Sequence, residues 1–185
     1  MQKRVIVICV VLAVSGVIFL LAGFWIPVKA VVAQHLLQKA WQQSMACGDV
    51  VKPWPWADSW PVGRLINKRL GIDYIILEGD SGEVLAFGPG HIPRSGMPGQ
   101  EKHCILAGHR DTNFSFLQKL VTGDILIVEG RKKKKTYRVV AMEVAEADHL
   151  YFDLQDRGAL TLITCFPFDA ILTGGGQRFI VSARD

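Results

Sequence analysis

No two of the four cysteines, Cys9, Cys47, Cys104 and Cys165, stand in a CxxC spacing. Cys9 lies inside an apolar run, so an odd number of thiols is left elsewhere. Neither a zinc site nor a disulfide framework is suggested by that count. A Cys47–Cys104 bridge would leave Cys165 free, but only arithmetic favours it. An unpaired cysteine outside the cytosol raises the question of a reactive thiol. Charge of one sign is also in short supply: 21 Lys and Arg against 17 Asp and Glu leave +4. The sequence has no basic stripe with interleaved aromatics, which argues against a nucleic-acid partner. Five of the basic residues form one run, Arg131 to Lys135, followed by Thr136 and Tyr137. Such a run reads as a solvated hairpin tip, with attraction to an anionic membrane surface as the alternative. There are no internal repeats.

Charge is missing altogether between Val5 and Val28, a run of 24 residues. That is enough to span a hydrocarbon core about 30 Å thick. It also accounts for the positive mean hydropathy of +0.25. A signal peptide's apolar region is typically about 7–15 residues, so an uncleaved anchor is preferred. Ala30 and Ala33 could nevertheless mimic a cleavage site. Lys3 and Arg4 precede the run, and Lys29 and Lys39 follow it. The bias is slight, but with so short a leader it favours a cytoplasmic tail at 1–4 and an anchor at 5–28 in the cell membrane. The rest of the chain is then expected outside the cytoplasm, with membrane lipid as a partner.

Beyond the run, Val32, Leu36, Leu37, Ala40 and Trp41 recur near helical period. This predicts a stalk that continues the membrane helix and ends at Cys47-Gly48. Lys52 to Pro61 then holds three tryptophans and three prolines. The prolines exclude a regular helix or central strand. The tryptophans favour docking along a domain surface over a floppy tether, and residues 29–61 are read as helix plus linker.

From Val62 the pattern changes to short strands and turns. The strand-like runs are 64–66, 73–78, 84–87, 104–107, 125–128, 136–144, 159–164 and 179–182. Turn chemistry at Gly79–Gly82, Gly88–Gly90, Thr122–Asp124 and Gly174–Gly176 separates them. A short helix is expected at Phe114–Leu120, capped by Asn113 or Thr112. The expected fold is mainly β: a closed or nearly closed barrel of about eight strands with short helices, over residues 62–185.

The chemistry converges on three residues. Thr161-Leu162-Ile163-Thr164-Cys165 is a β-branched strand ending in a thiol, and Pro167 stops pairing just beyond it. A lone cysteine is more often a small core residue. Alternation, however, puts Leu160 and Leu162 on the inner face and Thr161, Ile163 and Cys165 on the other. Phe179 and Val181 likewise face inward, which turns Arg178 outward. Parity therefore permits Cys165 and Arg178 to meet outside the barrel. Leu106-Ala107-Gly108 is a strand that delivers His109 to its end. A thiol of ordinary pKa, about 8.5, needs such an imidazole or cation to react at neutral pH.

Taken together, these segments resemble the sortase family. Thr161–Cys165 matches its TLxTC motif, Leu106–Asp111 resembles its histidine segment, and Arg178 falls on a short strand after the cysteine. Phe87-Gly88-Pro89-Gly90-His91, with Ser95 and Pro98-Gly99, is similar to another stretch of that family. The Trp54–Asp58 stretch and the single anchor look most like class GN sortases of Gram-negative bacteria, which would put the barrel on the periplasmic side. The resemblance implies a membrane-anchored cysteine transpeptidase, a hydrolase-class thiol peptidase acting on a substrate protein with a C-terminal sorting signal. Cys165 would attack an LPxTG-like signal to give a thioester, His109 would move the protons, and Arg178 would steady the oxyanion. An amine acceptor would then take the acyl group. No cofactor and no metal are implied.

Several alternatives are weaker. Asp111 lies two residues from His109, where it rarely orients the ring, so a Cys-His-Asp triad is not favoured. His103 and His109, if on one strand, stand about 20 Å apart, too far to share a zinc. Cys104 and His109 would face opposite sides. Two functional rivals remain, a thiol peptidase that releases its substrate to water and a silent peptide-binding β-domain.

Overall fold

The computed structural model describes residues 2–170 and 175–185, and only part of the side chains between 3 and 28. The chain forms two compact units, Met1–Leu36 and Leu37–Asp185. Helix α1 runs from Gln2 to Cys47. Among the described residues, no helix is long and apolar enough to cross a membrane. Most side chains of the expected anchor at 5–28 lie outside the described set. The helix stops where the Cys47-Gly48 pair suggests. Gly48 has φ of 80°, a left-handed value natural to glycine, and its N–H donates to the Ser44 carbonyl at 3.0 Å.

The second unit begins upstream of Val62. Leu37 and Trp41, at 1% and 5% exposure, pack with Ile75, Leu77 and Val84. The apolar stripe that suggested a stalk is thus, from Leu37 onward, the face that docks on the barrel. The tryptophan-proline segment also lies against this unit. Trp54 meets Phe87 edge to face at 5.3 Å, Lys52 donates to the Ala57 carbonyl at 2.7 Å, and Ala57 is buried.

The barrel has eight strands: β1 Pro61–Asn67, β2 Ile72–Glu78, β3 Gly90–His91, β4 Cys104–Ala107, β5 Ile125–Gly130, β6 Lys134–Glu146, β7 Ala159–Cys165 and β8 Gln177–Arg184. They close in the order β1-β2-β3-β4-β7-β8-β6-β5. The interior is apolar side chains from alternate positions, including Leu65, Ile76, Leu106, Leu126, Val128, Leu160, Leu162 and Val181.

Three local expectations need correction. Residues 84–87 are not a strand, because the Ser81 hydroxyl accepts from the Val84 N–H and starts a single helical turn, α2, Gly82–Leu85. The eighth strand is instead β3, where a Cβ on Gly90 would come within 2.2 Å of the Gly79 carbonyl oxygen. Only glycine permits that approach. Phe114–Leu120 is a 3-10 helix, Ser115–Lys119, with no side-chain cap. Asn113 donates instead to the Leu85 carbonyl at 2.9 Å. Finally, Arg131–Lys134 are exposed at the β5–β6 turn as expected, but Lys135 is 9% exposed. Period-two alternation turns it to the inner face beside Tyr137, where Glu101, at 3.0 Å, and Asp185 hold its ammonium. Of the glycine-rich turn at 174–176, Gly174 lies outside the described residues.

Candidate active site

Strands β4 and β7 run parallel, with Cys104 opposite Leu160 and Ala107 opposite Ile163. The Gly108 N–H continues the ladder, donating to the Ile163 carbonyl at 3.2 Å. His109 and Cys165 are each two residues past the last pair, at the same end of neighbouring strands whose axes are about 4.8 Å apart. Both are half-buried.

Gly108 and Thr164 lock that end. The buried Thr164 hydroxyl donates to the Gly108 carbonyl at 2.7 Å, fixing the peptide that carries His109. A Cβ on Gly108 would lie 2.5 Å from Phe114 Cγ, so the Phe114 ring fills the space beside it. The His109 carbonyl in turn accepts from the Phe114 N–H at 2.9 Å. The motif's last threonine is therefore a cross-strand clamp.

On the other side, β7 and β8 are antiparallel and Cys165 pairs directly with Arg178. The Phe166 N–H donates to the Gln177 carbonyl at 3.1 Å. This makes Phe166–Gln177 the hydrogen-bonded pair and Cys165–Arg178 the close one, with Cα atoms typically about 4.5 Å apart. The half-buried Arg178 side chain donates to the Gly175 and Gln177 carbonyls at 2.7 and 2.8 Å. Its guanidinium is folded back onto the first residue of β8 and onto Gly175 just before it. The structure thus brings all three sequence-derived residues to one end of three adjacent strands: β4, β7 and β8.

One neighbour was missed by sequence reading. Arg110 is 8% exposed and donates to the Ala170 carbonyl at 2.7 Å. It ties the segment bearing His109 to the loop that follows Cys165. A buried arginine next to a site histidine would have been the signal, but only the fold shows that this one is buried. Asp111 is exposed.

Cys104, His91 and His103 are engaged elsewhere in the fold. Cys104 faces the interior at 0% exposure, and burial pushes its pKa up to about 12. Cys47 is exposed. Buried His91 contacts Glu78 Oε2 at 3.0 Å, and Ser95 Oγ and the Gly96 carbonyl each at 3.1 Å. His103 bridges the Asp153 carbonyl, at 2.9 Å, and Thr161 Oγ1, at 2.8 Å. Among the described residues, no group of three His, Cys, Asp or Glu could hold a metal ion.

Several known proteins are similar to this chain in sequence and fold. The chain is 30% identical over 124 residues to sortase D of Bacillus subtilis, covering 66% of this chain and 62% of that protein's length. It superposes on sortase C1 of Streptococcus agalactiae with a TM-score of 0.58 at 28% identity, covering 67% of this chain and 66% of that one. A Clostridium perfringens sortase D5 transpeptidase shares the fold, with a TM-score of 0.64 at 19% identity over 83% of this chain and 98% of its own. A family model for the sortase domain matches residues 67–185. The cysteine, histidine and arginine at one barrel end thus sit in a chain that belongs to the sortase family.

Proposed function

We propose that this protein is a cysteine transpeptidase that joins a substrate protein, cut at an LPxTG-like sorting signal, to an amine acceptor. The observation that carries the reading is the convergence of Cys165, His109 and Arg178 through strand register, in a chain of the sortase family. The Cys165 thiol gives its proton to His109, the thiolate attacks the scissile carbonyl carbon, and a tetrahedral oxyanion forms. The Arg178 guanidinium, released from the Gly175 and Gln177 carbonyls, donates to that oxyanion. His109 gives a proton to the departing amine as the C–N bond breaks, leaving a thioester on Cys165. An incoming amine attacks the thioester and gives its proton to His109, the C–S bond breaks to release the new amide, and His109 returns the proton to the Cys165 thiolate.

The same proposal includes an anchor. Residues 5–28, without a charged side chain, span the cell membrane with 1–4 in the cytoplasm and the barrel outside. The Trp54–Asp58 stretch together with this anchor supports class GN, whereas the relatives above bear class C and class D names.

The deciding experiment incubates the full chain in nonionic detergent with a fluorogenic LPxTG-type peptide, with and without triglycine. Cleavage plus a triglycine-ligated product is expected, and Cys165→Ala should abolish both. Cleavage with no ligation would make it a hydrolase, and binding with no cleavage a peptide-binding module. For the anchor, the full-length chain should stay in the membrane fraction, and protease added to spheroplasts, whose outer membrane is breached, should digest the barrel. A mature N-terminus near Val31 would instead identify a cleaved signal.

A further inference from the structure

The exposed basic turn at Arg131–Lys134 has no place in that chemistry. It lies at the start of β6, whereas Ala145, near the end of the same strand, is opposite Arg178. Eleven residues of strand separate the two, roughly 35 Å, so the turn is at the far end of the barrel from Cys165. There it borders a groove of about 710 Å³. Met45, Val62, Met97 and Pro98 supply apolar lining, and Lys102, Arg131, Lys132 and Lys133 the basic lining.

Two features make this a built groove and not a chance dip beside a charged loop. The first is rigidity. The Gly130 N–H donates to the Lys133 carbonyl at 2.8 Å, closing the turn. The Pro98-Gly99 turn is wedged against it. A Cβ on Gly130 would lie 1.8 Å from the Pro98 carbonyl oxygen, and one on Gly99, at φ of 81°, 2.3 Å from the Lys133 carbonyl oxygen. Backbone meets backbone on that wall, so it exists before anything binds.

The second is charge. Glu101 is the one carboxylate among the described residues lining the groove, and it is already engaged by Lys135. Lys135 also holds Asp185, so the nearby acidic groups are compensated from within the fold. Lys102, Arg131, Lys132 and Lys133 line the groove, and none of them pairs with a carboxylate among the described residues.

We propose that this groove docks an acidic segment of a partner protein. Its carboxylates would meet the basic rim, and an apolar side chain would fill the floor, where Met45 and Met97 can adapt their shape. A flat anionic bilayer could touch the exposed turn but would leave the floor empty, which favours the peptide. The groove would then recruit or orient a partner at a distance from the thiol.

The test uses the full chain in nonionic detergent and a fluorescein-labelled peptide of alternating glutamate and leucine. Anisotropy at about 20 mM salt should show saturable binding that weakens as salt shortens the screening length. The double substitution Lys132→Glu with Lys133→Glu should weaken it about tenfold or more, because two attractions become repulsions. A leucine-free polyglutamate should bind less well than the mixed peptide, while Cys165→Ala should bind the mixed peptide as the wild type does. Unchanged affinity in the double variant would overturn the proposal, as would no saturation by about 1 mM peptide. With the chain moved from detergent into phosphatidylcholine liposomes, capture of separate phosphatidylglycerol vesicles that the peptide cannot displace would assign the patch to a lipid surface instead. Iodoacetamide labelling of Cys165 at the wild-type rate in the double variant would show that the barrel is intact.

Discussion

Two cysteines on adjacent strands show how far burial separates chemically identical groups. The thiol of Cys104 is enclosed, and loss of solvation lifts its pKa to about 12. At about pH 8 it is almost wholly protonated and out of reach. Brief iodoacetamide treatment of the folded protein should modify Cys165 and exposed Cys47 and spare Cys104 until the chain is unfolded, as peptide mass mapping would report. Fast labelling of Cys104 would mean the barrel opens. Arg178 poses a different question, because its guanidinium is spent on the Gly175 and Gln177 carbonyls. A planar fork can swing from them to an oxyanion while keeping two donors aligned, and an ammonium cannot. Arg178→Lys should therefore cost about 100- to 1000-fold in acylation rate, with stability changed by less than about 0.5 kcal/mol. Near wild-type acylation in both Arg178→Lys and Arg178→Ala would remove this residue from the site.

Strand pairing carries the geometry of the site, and Thr164 is its most informative point. Its neighbour Cys165 supplies the reactive atom, but the Thr164 hydroxyl holds the Gly108 carbonyl and thereby the position of His109. Thr164→Val keeps the shape and strands that carbonyl without a donor. Unfolding in urea should show a loss of about 1–3 kcal/mol. Single-turnover acylation should slow as well, while Thr164→Ser should recover both. Stability loss with an unchanged acylation rate would make Thr164 purely structural. Strand β6 offers a contrasting case. Tyr137 is fully buried and its hydroxyl has no hydrogen-bond partner among the described residues. Burial, together with the negative groups around it, pushes its pKa upward. Tyr137→Phe removes a polar atom that folding has desolvated without compensation, so the variant should be equally or more stable in a thermal melt. A drop of several degrees would reveal a partner for that oxygen.

At the scale of the whole molecule, acid should open the barrel partly through Asp124. Hydrogen bonds from Arg69 hold its carboxyl below the usual carboxylate range, and the Val121 N–H adds to the effect. The folded state therefore binds this proton less readily than the unfolded chain does. The resulting stabilisation is complete above the ordinary value of about 3.9 and is lost as pH falls through the lower folded value. Asp124→Asn should lower the melting temperature at pH 7 and show a shallower decline between about pH 4 and 2 than the wild type. Equal slopes would exclude Asp124 from the acid response. Much of this molecule is legible in its amino-acid order alone. Period-two alternation fixes which side of a strand is apolar, so Leu160, Leu162 and Val181 are assigned inward and Cys165 and Arg178 outward from their neighbours. Local chemistry also sets ends, as at Gly48 and Pro167, because glycine and proline act on their own dihedrals. Tertiary structure decided the rest. Whether 84–87 was strand or helix turned on one serine hydroxyl, a marginal local preference. The identity of β3 required knowing that Gly79 passes within carbonyl contact of Gly90. Lys135 reads as solvated in a run of five basic residues and is buried because Glu101 and Asp185, distant in sequence, come to meet it. Alternation states which face a residue is on, and only the barrel's closure states what stands on the other side.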